Sequence, residues 1–78
     1  MGLKEEVIAH ISKTLDVESS EIGEDQKLYD SIGVDSTEMV EVVVSMSKQF
    51  EVKLETSEIT KFSTPNEIVD LIERKKQF

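Results

Sequence analysis

Apolar residues recur along the first fifteen positions at spacings of three and four: Leu3, Val7, Ile8, Ile11 and Leu15, with Lys4, Glu5, Glu6, His10 and Lys13 between them. That repeat gathers the apolar side chains on one stripe and predicts an amphipathic helix over residues 3–15. His10 falls on its polar side and reads as a solvated residue. From Asp16 to Asp35 the periodicity fades, and turn formers and acids are interrupted by Val17, Ile22, Leu28, Tyr29 and Ile32. A connection of about 20 residues is long for a compact domain, so the stretch is expected to be functional or partly helical, pinned to the core by its apolar residues. Tyr29, with an apolar body and a polar tip, reads as core edge.

The run "VEVVV" at 40–44 has strand propensity, but its flanks favour a helix. Asp35 with Glu38 three residues later makes a capping-box start, and Met39, Val43, Met46 and Phe50 continue one helical stripe, which predicts a helix over 36–50. Ser57 to Phe62 is expected to form a short helix or single turn with Ile59 and Phe62 inward. Thr64, Pro65 and Glu67 then supply the N-cap, first and third positions of a last helix, with Ile68, Val69, Leu71 and Ile72 on its apolar face and "RKK" at its negative end. The fold class is all-α. Three longer helices and one short one, with a long loop between the first and second, make a compact bundle, and residues 1–78 form a single domain.

A chain of 78 residues has a small core. Cysteine is absent, which excludes a disulfide framework and thiolate metal sites and leaves the fold to apolar packing. No leader pattern or membrane-length apolar segment is present, so the expectation is a cytoplasmic monomer. The net charge of −8 is uneven: residues 16–35 hold seven carboxylates against Lys27 alone. Phosphate contacts need a basic face, so nucleic acid is an unsuitable partner and a basic protein surface a suitable one. The plainer alternative is that the acids only keep a small domain soluble.

Ser36 stands between Asp35 and Thr37 directly before the apolar helix. It could be a cap, a nucleophile or a point of attachment. Nucleophilic catalysis lacks support, because no Gly-x-Ser-x-Gly turn surrounds it and no third group orients the only histidine. Asp30 to Glu41 has the length of a calcium-binding loop, but Ile32 and Val34 occupy ligand positions and Asp35 stands where the turn needs glycine. Attachment fits better. A serine in the first helical turn exposes its hydroxyl on a firm base, and a phosphodiester there would be favoured by about 0.3–1 kcal/mol at the helix's positive end. The local chemistry alone leaves the cap reading open.

The stretch "GVDSTEMVEVVVSMSKQFEVKL" resembles the attachment region of acyl carrier proteins, in Gly33, Asp35, Ser36, Glu41 and Phe50. The likeness continues through the helix-one stripe, Leu28 and Tyr29, Leu54, and "STPNEIVDLI". It implies the four-helix carrier bundle, no enzymatic activity of its own, and 4′-phosphopantetheine joined to Ser36 beside Asp35. The arm would carry acyl groups as thioesters for fatty acid, polyketide or related lipid synthesis. Implied partners are a phosphopantetheinyl transferase and acyl transferases, synthases or ligases with basic docking surfaces, met through Thr37, Glu38, Glu41 and Lys48. Val40, Val43, Met46, Phe50, Ile59, Phe62 and Leu71 are the candidates for lining an acyl cavity. The chain departs from the family at Thr37, where leucine is usual, and at Ser47, Lys48 and Gln49, which replace an acidic surface; both departures point to a specialised carrier. The competing reading is a carrier-shaped interaction module that never receives the arm.

Overall fold

The structure, a computed structural model, describes residues 2–76. In chain order it has α1 (Leu3–Leu15), a 3-10 turn (Ser19–Glu21), α2 (Leu28–Ile32), α3 (Ser36–Phe50) and α4 (Pro65–Lys76), with no strand among the described residues. The three longer helices fall where the periodicity puts them.

Each has a chemical reason to start or stop. The Gly2 amide donates to the Glu5 carboxylate at 2.8 Å ahead of α1. α1 ends at Asp16 and α3 at Glu51, both left-handed at φ 56°, each returning its N–H to a carbonyl of the last turn. At α4 the Thr64 amide donates to Glu67 Oε1 (2.8 Å) and the Glu67 amide donates to Thr64 Oγ1 (3.1 Å), so two otherwise orphaned donors are satisfied reciprocally. α1 packs on both α3 and α4. Val7 and Ile11 from α1, Val42 and Met46 from α3, Ile72 from α4 and Leu28 from α2 meet in one core without measurable exposure.

The short helix is α2, within the stretch expected to be partly helical, and residues 57–62 form turns, one of the two forms expected of them. Two expectations are corrected. Ile59 is buried there, but Phe62 is 53% exposed and not inward. Hydrogen bonding supplies the reason. α2 opens with orphan N–H groups, and Leu28 and Tyr29 donate theirs to the carbonyls of Ser63 (3.1 Å) and Lys61 (2.8 Å). Within the segment the Thr60 and Phe62 amides donate to the hydroxyls of Ser63 (3.1 Å) and Thr60 (3.2 Å) instead of to carbonyls four residues back, so no helix propagates along 57–62 and Phe62 stays outside.

His10 is the other correction. Its Nε2 lies 2.7 Å from Ser45 Oγ across the α1–α3 interface, and its ring stands 6.1 Å from that of Phe50. Burial first, and Lys13 second, hold its pKa below the ordinary histidine value of 6.5. Glu6 and Lys13 of α1 and Glu41 and Gln49 of α3 line the same groove. A lowered folded pKa means that the unfolded chain binds this proton more readily, so the contribution is present above the unfolded value and lost as pH falls below it. Between pH 7.5 and 5.5 the urea midpoint of the wild type should therefore fall relative to that of His10→Gln; parallel profiles would show that the histidine is not linked to folding.

Candidate functional site

The link between α2 and α3 is three residues long. Gly33 closes α2 in the left-handed region at φ 64° and donates its N–H to the Tyr29 carbonyl at 3.0 Å. A β-carbon there would meet nothing within 4 Å, so the backbone, not space, is what calls for glycine. Val34 is buried in the core and anchors the turn. Asp35 is extended and caps α3: its Oδ1 accepts from the Glu38 amide at 2.8 Å, while Glu38 Oε1 accepts from the Asp35 amide at 3.1 Å.

This settles what Ser36 is not. Capping belongs to Asp35, and Ser36 is the first helical residue, exposed, with no hydrogen bond to its hydroxyl among the described residues. Beside it runs a cleft of about 330 Å³ formed by Met39 and Val40 of α3 and by Thr56, Ile59, Thr60, Lys61 and Phe62. Buried Met39 and Ile59 make an apolar floor, and half-exposed Val40 and Phe62 make the walls. An open hydroxyl on a fixed helix start, next to an apolar groove, suits a tethered group that must swing out and lie back.

The other candidate residues separate into groups. Thr37, Glu41 and Lys48 are exposed on the outer side of α3. Val44, 50% exposed on that same side, is an apolar surface residue that the valine run concealed, since no polar neighbour at that position marks the outer face. Val43 and Met46 are buried in the core, and Phe50 is buried at the far end of α3 against His10. Leu71 lines a different cleft, with Ile59 and Ile68, that does not include Ser36. Tyr29 is not core edge but half exposed, its ring 5.9 Å from that of Phe62.

Ser47 is not a surface replacement. Its hydroxyl donates to the Val43 carbonyl at 2.9 Å and accepts from the Leu54 amide at 3.2 Å, which staples the 51–54 turn to α3. Ser45 is likewise engaged by His10. Among the described residues no cluster of three or more metal-ligating side chains occurs, and no helix is long and apolar enough to cross a membrane.

Comparison with known proteins agrees with this geometry. The family model described as "Phosphopantetheine attachment site" matches residues 5–72. The acyl carrier protein of Thermotoga maritima is 35% identical over 79 residues, covering 96% of this chain and 98% of that one. The acyl carrier protein homolog of Mycoplasmopsis pulmonis is 30% identical, covering 99% of this chain and 100% of that one. Among solved structures, the apo doublet acyl carrier protein from prodigiosin biosynthesis superposes with a TM-score of 0.81 at 28% identity, over 94% of this chain and 35% of that longer one. A capped helix start with an open serine, the bundle that holds it, and a family match across nearly the whole length place this chain in the acyl carrier protein family, as a phosphopantetheine-bearing carrier and not an enzyme.

Proposed function

We propose that Ser36 is the residue that receives 4′-phosphopantetheine, and that the cleft beside it shelters the carried acyl group. The observation that carries this reading is the exposed, unpartnered Ser36 hydroxyl at the lip of an apolar groove. The residues present fit the group: Asp35 and Glu38 lock the helix start, so the backbone that carries the attaching oxygen is fixed, and among the described residues nothing hydrogen-bonds that oxygen. Once bound, the arm supplies a terminal thiol that holds the acyl group as a thioester. Everything else the chain does is binding and presentation, and the gain is proximity, since a tethered substrate meets successive enzymes at high effective concentration.

Met39, Val40, Ile59 and Phe62 offer the cargo its apolar contact, worth about 0.8 kcal/mol per buried methylene. Val43 and Met46 belong to the buried core, while Phe50 lies at the far end of α3 and Leu71 in a separate cleft. Thr37, Val40, Glu41, Val44 and Lys48 form the outer face of α3 that a phosphopantetheinyl transferase and later acyl transferases, synthases or ligases would meet; Glu38 adds charge there while its carboxylate keeps the cap. The same reading makes the chain a cytoplasmic monomer that serves fatty acid, polyketide or related lipid synthesis.

Incubation with coenzyme A, magnesium and a phosphopantetheinyl transferase should add one phosphopantetheine mass to the chain, localised by fragmentation to the segment bearing Ser36. In that transfer the serine oxygen forms the bond to phosphorus, the diphosphate bond of coenzyme A breaks, and the serine proton leaves to a base on the transferase. An unchanged mass would favour the interaction module that never receives the arm.

A further inference from the structure

Lys61 is the one charged side chain lining the Ser36 cleft. That is notable in a chain with 17 acids and 9 basic residues. Its ammonium stands 5.1 Å from the centroid of the Tyr29 ring and 5.5 Å from that of Phe62, while the Lys27 ammonium lies 6.0 Å from the Phe62 centroid. Ring faces attract cations, so the two aromatics set where the charge sits. The frame beneath is main chain, because the Tyr29 amide donates to the Lys61 carbonyl itself. Among the described residues neither ammonium has a carboxylate within salt-bridge distance. The rings stay about half exposed, 49% for Tyr29 and 53% for Phe62, so both remain open to a group laid along the cleft.

We propose that Lys61, seated on Tyr29 and Phe62 and supported by Lys27, binds the phosphodiester of the group attached at Ser36 and so holds the arm along the cleft. The inference rests on Ser36 being the attachment residue. On the helix side of Ser36 stand the side chains of Asp35 and Glu38, both acids, so beyond the positive end of α3 itself the cationic side chain offered to an anion at that oxygen is Lys61, across the cleft. An exposed pair of this kind is modest, and its loss shifts the ratio of docked to free arm about two- to five-fold. That bias keeps the arm laid back between encounters without trapping it when an enzyme draws it out. Lys61 is thus a positioning residue.

The chain carries its own reporter, since Tyr29 is the only tyrosine and tryptophan is absent. Wild type and Lys61→Gln would be converted with coenzyme A and a transferase, with modification verified by mass and the fold of each apo form by its amide spectrum. The expected result is that modification of the wild type shifts the Tyr29 and Phe62 ring resonances. The phosphorus resonance should differ between the two holo proteins, and Lys61→Gln or high salt should move the rings measurably back toward their apo positions. Lys53→Gln, an exposed lysine in the turn after α3, should leave the shifts in place. Salt acts on the wild type itself, so that arm stands even where a variant folds poorly. Mass-verified holo protein whose Tyr29 and Phe62 rings match the apo form, or ring shifts that survive both salt and Lys61→Gln, overturns the proposal. A wild type that gains no mass overturns the Ser36 reading beneath it.

Discussion

Ser36→Ala is expected to keep its unmodified mass after incubation with coenzyme A and a transferase, while its helical circular dichroism and urea midpoint stay close to those of the wild type. The loss is complete because the bond is made to the serine oxygen and alanine has none. Other hydroxyls of α3 do not substitute for it: the adjacent Thr37 is exposed on the outer side and does not line the cleft, Ser45 is bonded to His10, and Ser47 to Val43 and Leu54. The fold survives because the cap is Asp35, so the Ser36 hydroxyl contributes no hydrogen bond that alanine would forfeit. A surface change of this sort falls within about 0.5 kcal/mol. A mass gain in the variant would move the site to another residue, and unfolding would make Ser36 structural.

Ile11→Ala should produce the largest loss of stability. Ile11 is 0% exposed on α1, the helix that packs on both α3 and α4, so truncating it opens a cavity where three elements meet. Such truncations cost about 2–5 kcal/mol. At about 0.05–0.15 kcal/mol per residue, a chain of 78 residues has only about 4–12 kcal/mol in total. The urea midpoint should therefore drop by about a sixth or more, and a midpoint within a tenth of the wild type would mean that the bundle closes around the missing atoms. The two variants separate the layers of the molecule: one removes the chemistry and keeps the frame, the other weakens the frame and keeps the chemistry.

How far each feature could be read from the sequence follows from the range of the interaction that makes it. α1, α3 and α4 were legible because their caps and stripes lie within a few residues of each other; the Asp35–Glu38 box marked where α3 begins but left open whether Ser36 shares the cap, which the structure gives to Asp35. α2 was not, since five residues hold too little periodicity and its first amides are satisfied by Lys61 and Ser63, more than thirty residues on. The same pairing explains the misreading of Phe62, whose spacing of three from Ile59 imitates a helical face. His10 and Ser45 are 35 residues apart, and nothing local to either one announces the other. The candidate groove is half legible for the same reason: its α3 wall is read from the helix stripe, its opposite wall only from tertiary hydrogen bonds.

Those bonds from Leu28 and Tyr29 to the 61–63 segment join main chain to main chain. Amide and carbonyl are common to nearly every residue, so these bonds do not depend on which side chain occupies the half-exposed position 62. A lineage can exchange the half-exposed Phe62, or Val40 across the groove, for larger, smaller or more polar residues and retune what the groove accepts while its frame and the position of Ser36 stay put. Built this way, the module separates heritable variation in cargo preference from variation in foldability, and one small bundle can be drawn into many different syntheses without being reinvented for each.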